Sequence, residues 1–396
     1  MTQNGPYDIV VIGGGMAGTC AAVAAARRGR RTALVERYGF LGGTATQAMF
    51  TPWRGFFAGG KRVVAGIGQE IVDRLVRLGG SPGHVSEGEG SAVPFDAEVL
   101  KFVLQELAEE AGVSLLLHAE FVGEQLRGRL IESVSLHCRE GIVSMAGRRF
   151  IDATGTGDLA VAAGARHLRN PSSVSYRFSV TGVDHAALRD FVLAERHQFP
   201  LAEFREDGSF ALTGFRDAAS EWSRRRSDLA PVETFEAVSD SVPGNAVIAM
   251  LSFPSVDPGS IESVSRAGML MQTVPPEAMT FLAETVPGFA SARILVTPPQ
   301  FGFHAPRRIE GVIPVTPARM MSGESYADAV GPVAMPGSVH TSFQVPKRSL
   351  MVAVADNLLV TGRAILPPVA LFSTNNQPAG MKLGEAAGTI AAAMRS

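Results

Sequence analysis

The stretch that most constrains this chain is its start. Tyr7-Asp8-Ile9-Val10-Val11-Ile12 is apolar and β-branched, so it reads as a strand buried on both faces. It runs into Gly13-Gly14-Gly15-Met16-Ala17-Gly18, which satisfies G-x-G-x-x-G, and then into alanine-rich helical sequence ending at Arg28 and Gly29. A second apolar strand, Thr32–Val35, stops at the acid Glu36. Strand, glycine turn, helix, strand and acid in this order form a unit built to receive a dinucleotide. Gly13 permits the tight turn, Gly15 lets backbone approach a pyrophosphate, and Gly18 lets helix and strand pack closely. The phosphate charge would meet the N-terminus of the helix, and Glu36 would accept from ribose hydroxyls.

Composition narrows the remainder. With 396 residues, 46% apolar and 19% charged, the chain has material for one elaborate α/β domain or two domains. A formal charge of −2 argues against general affinity for nucleic acid or anionic membrane. No basic-then-apolar leader and no apolar run near the eighteen residues of a spanning helix is present, so a soluble, cytoplasmic protein is expected. The two cysteines, Cys20 and Cys138, exclude a CxxC pair, an iron–sulfur cluster and a cysteine zinc site; no metal is expected. Cys20 lies among helical alanines and reads as a small packing residue.

Further along, Gly42-Gly43-Thr44-Ala45-Thr46 suggests backbone folding back towards the same ligand. A helix is expected at Gly68–Leu78, and another, capped by Asp96, to about Ala111. Val113–Leu117, Phe121–Leu126, Leu130–Cys138 and Ile142–Met145 read as a small antiparallel meander, followed by a separate strand, Arg149–Ala153. From about Gly164 the pattern turns to mixed polar strands, with helices at Ser260–Gln272 and Pro276–Thr285. Asn357–Val360 is again a buried strand, and Ala379–Met394 a final helix of small residues. The expected domains are therefore 1–165 with 346–396, and an insert at 166–345.

Phe40–Thr46, Asp152–Asp158, Arg307-Arg308-Ile309-Glu310-Gly311, Leu359–Arg363 and Gly384–Thr389 together resemble the FAD-dependent oxidoreductase family, which includes the flavin subunit of heterodisulfide reductase. The resemblance implies an α/β protein of the glutathione-reductase type. Its FAD-binding domain would be Rossmann-like and three-layered, with a parallel central sheet and an inserted α+β substrate domain. It also implies FAD as cofactor. Gly13, Gly15 and Gly18 would hold the pyrophosphate and Glu36 the adenosine ribose, with Met16, Ala17 and Arg37 also at the cofactor. Gly42, Gly43, Thr44, Ala45 and Thr46 would lie along the phosphates or ribityl chain, and backbone near Val122 against the adenine. Ala153, Thr154, Gly155 and Asp158 would follow the cofactor, Gly362 and Arg363 would approach the pyrophosphate, and Gly380 and Met381 the flavin. The chain departs from the family pattern at His304-Ala305-Pro306 and at Leu366–Phe372.

Catalytic candidates are His340, able to take a proton as hydride leaves a substrate, and Arg307 and Arg308, able to clamp a carboxylate or to form an interdomain ion pair. His304 is a lesser candidate. Asn375 and Asn376 read as caps of the final helix ahead of substrate ligands, and Arg224–Arg226 as a solvated face ahead of an anion site. The leading expectation is an FAD enzyme taking hydride from a CH–OH or CH–NH centre of a small organic substrate. The alternatives are a monooxygenase or reductase visited by NAD(P)H, with O2 as co-substrate, and an electron-transfer or partner-binding flavoprotein.

Overall fold

The computed structural model describes residues 6–169, 174–240, 242–253, 256–257, 259–303, 307–335, 340–367 and 376–394. Its centre is a parallel sheet in the order Ser114–Leu116, Thr32–Val35, Tyr7–Ile12, Gly141–Asp152, Leu358–Val360. The continuous apolar run of the first strand is buried as expected: Ile9, Val10 and Val11 are sealed from solvent. Helices Met16–Ala26 and Gln377–Ala393, from opposite ends of the chain, pack against each other. They approach so closely that a side chain at Gly384 would lie 2.0 Å from the Ala17 carbonyl oxygen. Asp96 caps Ala97–Glu110 through the N–H groups of Glu98 and Val99.

Two strand expectations are corrected. Ser114–Leu116 leaves the meander and joins the parallel sheet beside Thr32–Val35, because the preceding helix returns the chain by a crossover. Ile142–Met145 and Arg149–Ala153 are one strand, Gly141–Asp152. Its first half pairs antiparallel with Leu130–Cys138 and its second half parallel with Tyr7–Ile12. Gly147 marks the handover. A Cβ there would press within 2.8 Å of Val10 and 3.0 Å of the Phe150 ring, so a residue without a side chain suits the point where the strand changes partners.

Residues 174–303 build a second sheet, wholly antiparallel, in the order Leu201–Phe204, Phe210–Gly214, Phe235–Ser239, Ala246–Phe253, Val174–Thr181, Arg293–Val296. The helices expected at 260–272 and 276–285 are a single helix, Ile261–Thr285. It runs through Pro275 and Pro276 because its apolar stripe, Ala267, Met271, Val274, Ala278, Phe281 and Leu282, is buried on both sides of them.

The buried apolar side chains fall into two clusters. One spans Ile9 to Ala165 and resumes from Ile309 to Ala392; the other runs from Val174 to Phe301. Val315, Val333, Phe343 and Val345 therefore pack with the parallel-sheet body. Among the described residues no helix is long and apolar enough to cross a membrane.

Candidate cofactor and active site

The glycine turn opens a cavity at the carboxyl end of the first strand. Gly13 has φ of 103°, and a Cβ there would sit 2.5 Å from the Ala153 carbonyl oxygen. At Gly18 the Cβ would lie 1.8 Å from the Gly13 oxygen, so only glycine allows the helix to close on the turn. Gly15 is different: its nearest neighbour would be Gly43 Cα at 3.7 Å, so the protein itself leaves room there. The loop after Glu36 does fold back. Gly42 N–H donates to the Gly14 oxygen at 2.8 Å, and Gly15 and Gly42 form an isolated parallel bridge. The Thr46 hydroxyl donates to the Leu41 oxygen at 2.8 Å and secures the loop.

Glu36 is 5% exposed and is aimed by backbone. Its carboxylate accepts from Gly14 N–H at 2.7 Å and Tyr38 N–H at 3.0 Å. Burial raises its pKa, with these two bonds and neighbouring Arg37 opposing. The third wall is Ala153, Thr154, Gly155 and Asp158. Behind it Asp152, fully buried, accepts from Thr154 N–H, the Thr154 hydroxyl and Ala160 N–H at 3.0, 2.8 and 2.8 Å. Burial outweighs these donors and pushes Asp152 up to about 6.

Gly362 and Arg363 line the same cavity. Arg363 Nε donates to the Gly155 oxygen at 3.0 Å. Burial, and secondarily the charge of Arg37, draws this guanidinium down to about 10, with Asp158 opposing. The final helix completes the enclosure with Asn376, Gln377 and Gly380. The Asn376 side chain accepts from Ala379 N–H at 3.2 Å as its N-cap, as the sequence suggests. Two helix N-termini, one from each end of the chain, thus face one cavity. From the antiparallel body, Gln300 reaches its rim: its N–H donates to the Gln47 oxygen and its side chain to the Tyr38 hydroxyl, both at 3.1 Å.

Of the residues singled out from sequence, Gly13, Gly15, Met16, Ala17, Glu36, Arg37, Gly42, Gly43, Thr44, Ala153, Thr154, Gly155, Asp158, Gly362, Arg363 and Gly380 line the cavity. Gly18, Ala45, Thr46 and Met381 are buried behind it and shape it. Val122 is 49% exposed on its strand; Ala119, Glu120 and Phe121 take the wall expected of it. Gln47 and Gln377 also line the cavity. Both lie in motifs already conspicuous in sequence, but nothing local shows which side chain turns inward.

The catalytic candidates are not brought together. His340 is on the surface, its Nε2 2.8 Å from Glu89, and is absent from the cavity lining. Arg307 pairs with Asp158 at 3.0 Å, tying the strand Arg307–Ile309 to the cavity wall. Arg308 is buried and donates to the Val315 oxygen at 3.2 Å, a structural use. Arg224, Arg225 and Arg226 are taken up by Glu221, Asp228 and Glu277. His304, Asn375 and Pro368–Phe372 lie outside the described residues.

A glycine turn on a parallel sheet, an acid one strand further on, a returning glycine loop and a terminal helix aimed into the same cavity define a dinucleotide-binding protein of Rossmann-like fold. The chain belongs to the FAD dependent oxidoreductase family, whose sequence model matches residues 8–396. A flavin-dependent brominase of solved structure shares the fold, with TM-score 0.52 and 12% identity over 98% of this chain and 80% of that one. A geranylgeranyl bacteriochlorophyll reductase-like protein from Thermoplasma acidophilum aligns at TM-score 0.48 and 14% identity, covering 95% of this chain and 76% of that one. Dihydrolipoyl dehydrogenase of Trypanosoma brucei brucei is 59% identical over 39 residues. That match spans 10% of this chain and only 8% of that protein's length.

Proposed function

We propose that the cavity between the glycine turn and the final helix holds FAD, and that the protein uses it to take hydride from a small organic substrate at a CH–OH or CH–NH centre. FAD, when bound, supplies the two-electron chemistry. The chain's own residues do the rest. Gly13, Gly15 and the N-terminus of Met16–Ala26 would hold the pyrophosphate, with Arg363 as counter-ion. Glu36, already aimed by two backbone N–H groups, accepts from ribose hydroxyls. Asn376, Gln377 and Gly380, at the positive end of the final helix, would lie beside the flavin and would stabilise negative charge on it. The observation that carries this reading is the convergence of two helix N-termini on one cavity. In this reading the FAD body comprises the two segments of the first apolar cluster, and residues 174–303 form the cover under which substrate binds.

A second reading, a reductase or monooxygenase fed by NAD(P)H, is favoured by the single dinucleotide turn in the sequence, which leaves a nicotinamide no resident domain and makes it a visitor. Anaerobic visible spectra of the purified protein before and after NADPH or NADH separate the two. An oxidised-flavin band near ~450 nm that survives both nucleotides, and bleaches with an alcohol or amine, supports the first reading. Rapid bleaching by nucleotide alone supports the second and overturns the first. A protein with no such band after incubation with FAD overturns both.

A further inference from the structure

Arg177 has an unusual setting in the antiparallel body. It lies on Val174–Thr181, directly opposite Ala249, which is in turn opposite Glu236 on the next strand. The small alanine between them lets the two charged side chains meet, with Nη2 2.7 Å from the Glu236 carboxylate. The ladder shifts register between Tyr176 and Arg177, an irregularity of the kind that re-aims a side chain beside a functional site. Tyr176 and Phe178 enter the apolar core of this body, so by strand alternation Arg177 faces the other way.

What it faces is the FAD body. The guanidinium carbon lies 4.3 Å from the centre of the Phe50 ring. Phe50 is held from both sides by cavity residues: its N–H donates to the Thr44 oxygen at 3.2 Å, and its oxygen accepts from the Gln377 side chain at 3.3 Å. One residue therefore separates Arg177 from the wall beside the final helix. Arg177 is 8% exposed, and its Nη1 is buried with no hydrogen-bond partner among the described residues. A charged N–H removed from water without an acceptor is costly, and such groups are rare.

Charge decides what kind of acceptor fits. Burial works against ionising Glu236, yet Arg177 and then Arg54 outweigh it and hold its pKa down. Arg54 is itself paired with Glu87. Two guanidinium groups and two carboxylates already balance. A second anion on Arg177 would be in excess, whereas a neutral oxygen would complete the donor without disturbing the balance.

We infer that Arg177 is a specificity residue whose Nη1 donates to a neutral carbonyl oxygen of the organic substrate, beside the cofactor cavity. This rests on the cofactor placement proposed above. It assigns the substrate class, a compound carrying a carbonyl group, which the family leaves open.

The test uses the FAD-loaded protein and two isosteric probes, benzamide and benzoate, titrated while the flavin absorbance band is followed. Wild type is expected to show a saturable band shift with benzamide and a weaker response to benzoate. Arg177→Met should weaken benzamide at least tenfold with FAD content unchanged. Arg177→Lys, which keeps a cation but loses the planar fork, should also weaken it and serves if the methionine variant does not fold. Glu236→Gln, which leaves the guanidinium unbalanced, should swing preference towards benzoate at least tenfold. A wild-type band indifferent to benzamide, tighter binding of benzoate than of benzamide, or equal benzamide affinity in wild type and the arginine variants overturns the assignment. A wild type without a flavin band instead overturns the cofactor placement, and this inference with it.

Discussion

The role of Gly15 can be tested by separating what the protein needs from what the cofactor needs. Its backbone, φ −67° and ψ 178°, is open to any residue, and an added methyl group would find only Gly43, at 3.7 and 4.0 Å. Gly15→Ala replaces an N-cap glycine at a cost of about 0.5–1 kcal/mol. The reduced entropy of the unfolded chain offsets about 0.4–1 kcal/mol. The apoprotein should therefore unfold at nearly its usual urea concentration. The methyl group would project beside the N–H that the pyrophosphate needs, at the loss of one charge-assisted hydrogen bond of about 1.5–3 kcal/mol. That is a roughly 10- to 100-fold weaker Kd. Titrating apoprotein with FAD by fluorescence quenching measures it, with Gly18→Ala as contrast. There the methyl group would collide with the Gly13 oxygen at 1.8 Å, so stability and binding should fall together. A Gly15→Ala protein that binds FAD within threefold of wild type would refute the placement of the pyrophosphate.

Two further outcomes follow from buried contacts. Asp152 is raised from 3.8 to about 6, so the native state binds its proton more tightly than the unfolded state does. Its contribution to stability therefore declines as pH rises from about 4 to about 6 and is constant above, by at most about 3 kcal/mol. Asp152→Asn cannot titrate, so the wild-type-minus-variant difference in urea unfolding should fall across that window; a flat difference would contradict the burial argument. At Gly384 an added Cβ would meet Ala17 backbone oxygen at 2.0 Å. Gly384→Ala should force the two cavity-facing helices apart, costing about 1–3 kcal/mol and lowering the flavin retained on purification. Unchanged unfolding and flavin content would show that the helix contact yields freely.

Much of the cofactor cavity was legible because its signals are local. Strand, turn and helix follow one another in Tyr7–Gly18, and each glycine needed there is set by contacts within the unit or with the strand beside it. Asp96 and Asn376 likewise cap helices through N–H groups two or three residues ahead. Assignments depending on distant pairing fared less well. His340 stands near an expected boundary between domains, yet its side chain meets Glu89 at the surface. The backbone near Val122 was placed to within a residue or two: Ala119, Glu120 and Phe121 line the cavity, while strand alternation turns the Val122 side chain outward, a parity that periodicity alone does not orient.

The chain by itself determined that a dinucleotide turn would form, which acid would face it, and that the final small-residue helix could pack tightly. Each is a matter of backbone freedom, periodicity or capping within a few residues. Tertiary structure alone decided that Gly141–Asp152 would serve two sheets, that Ile309, Val315, Val333, Phe343 and Val345 would join the first core, and that Arg177 would reach Glu236 across Ala249 and rest on Phe50. Those outcomes depend on register between strands far apart in sequence. Shifting a strand by one residue reverses every side chain it carries, and only the packed whole selects which register holds.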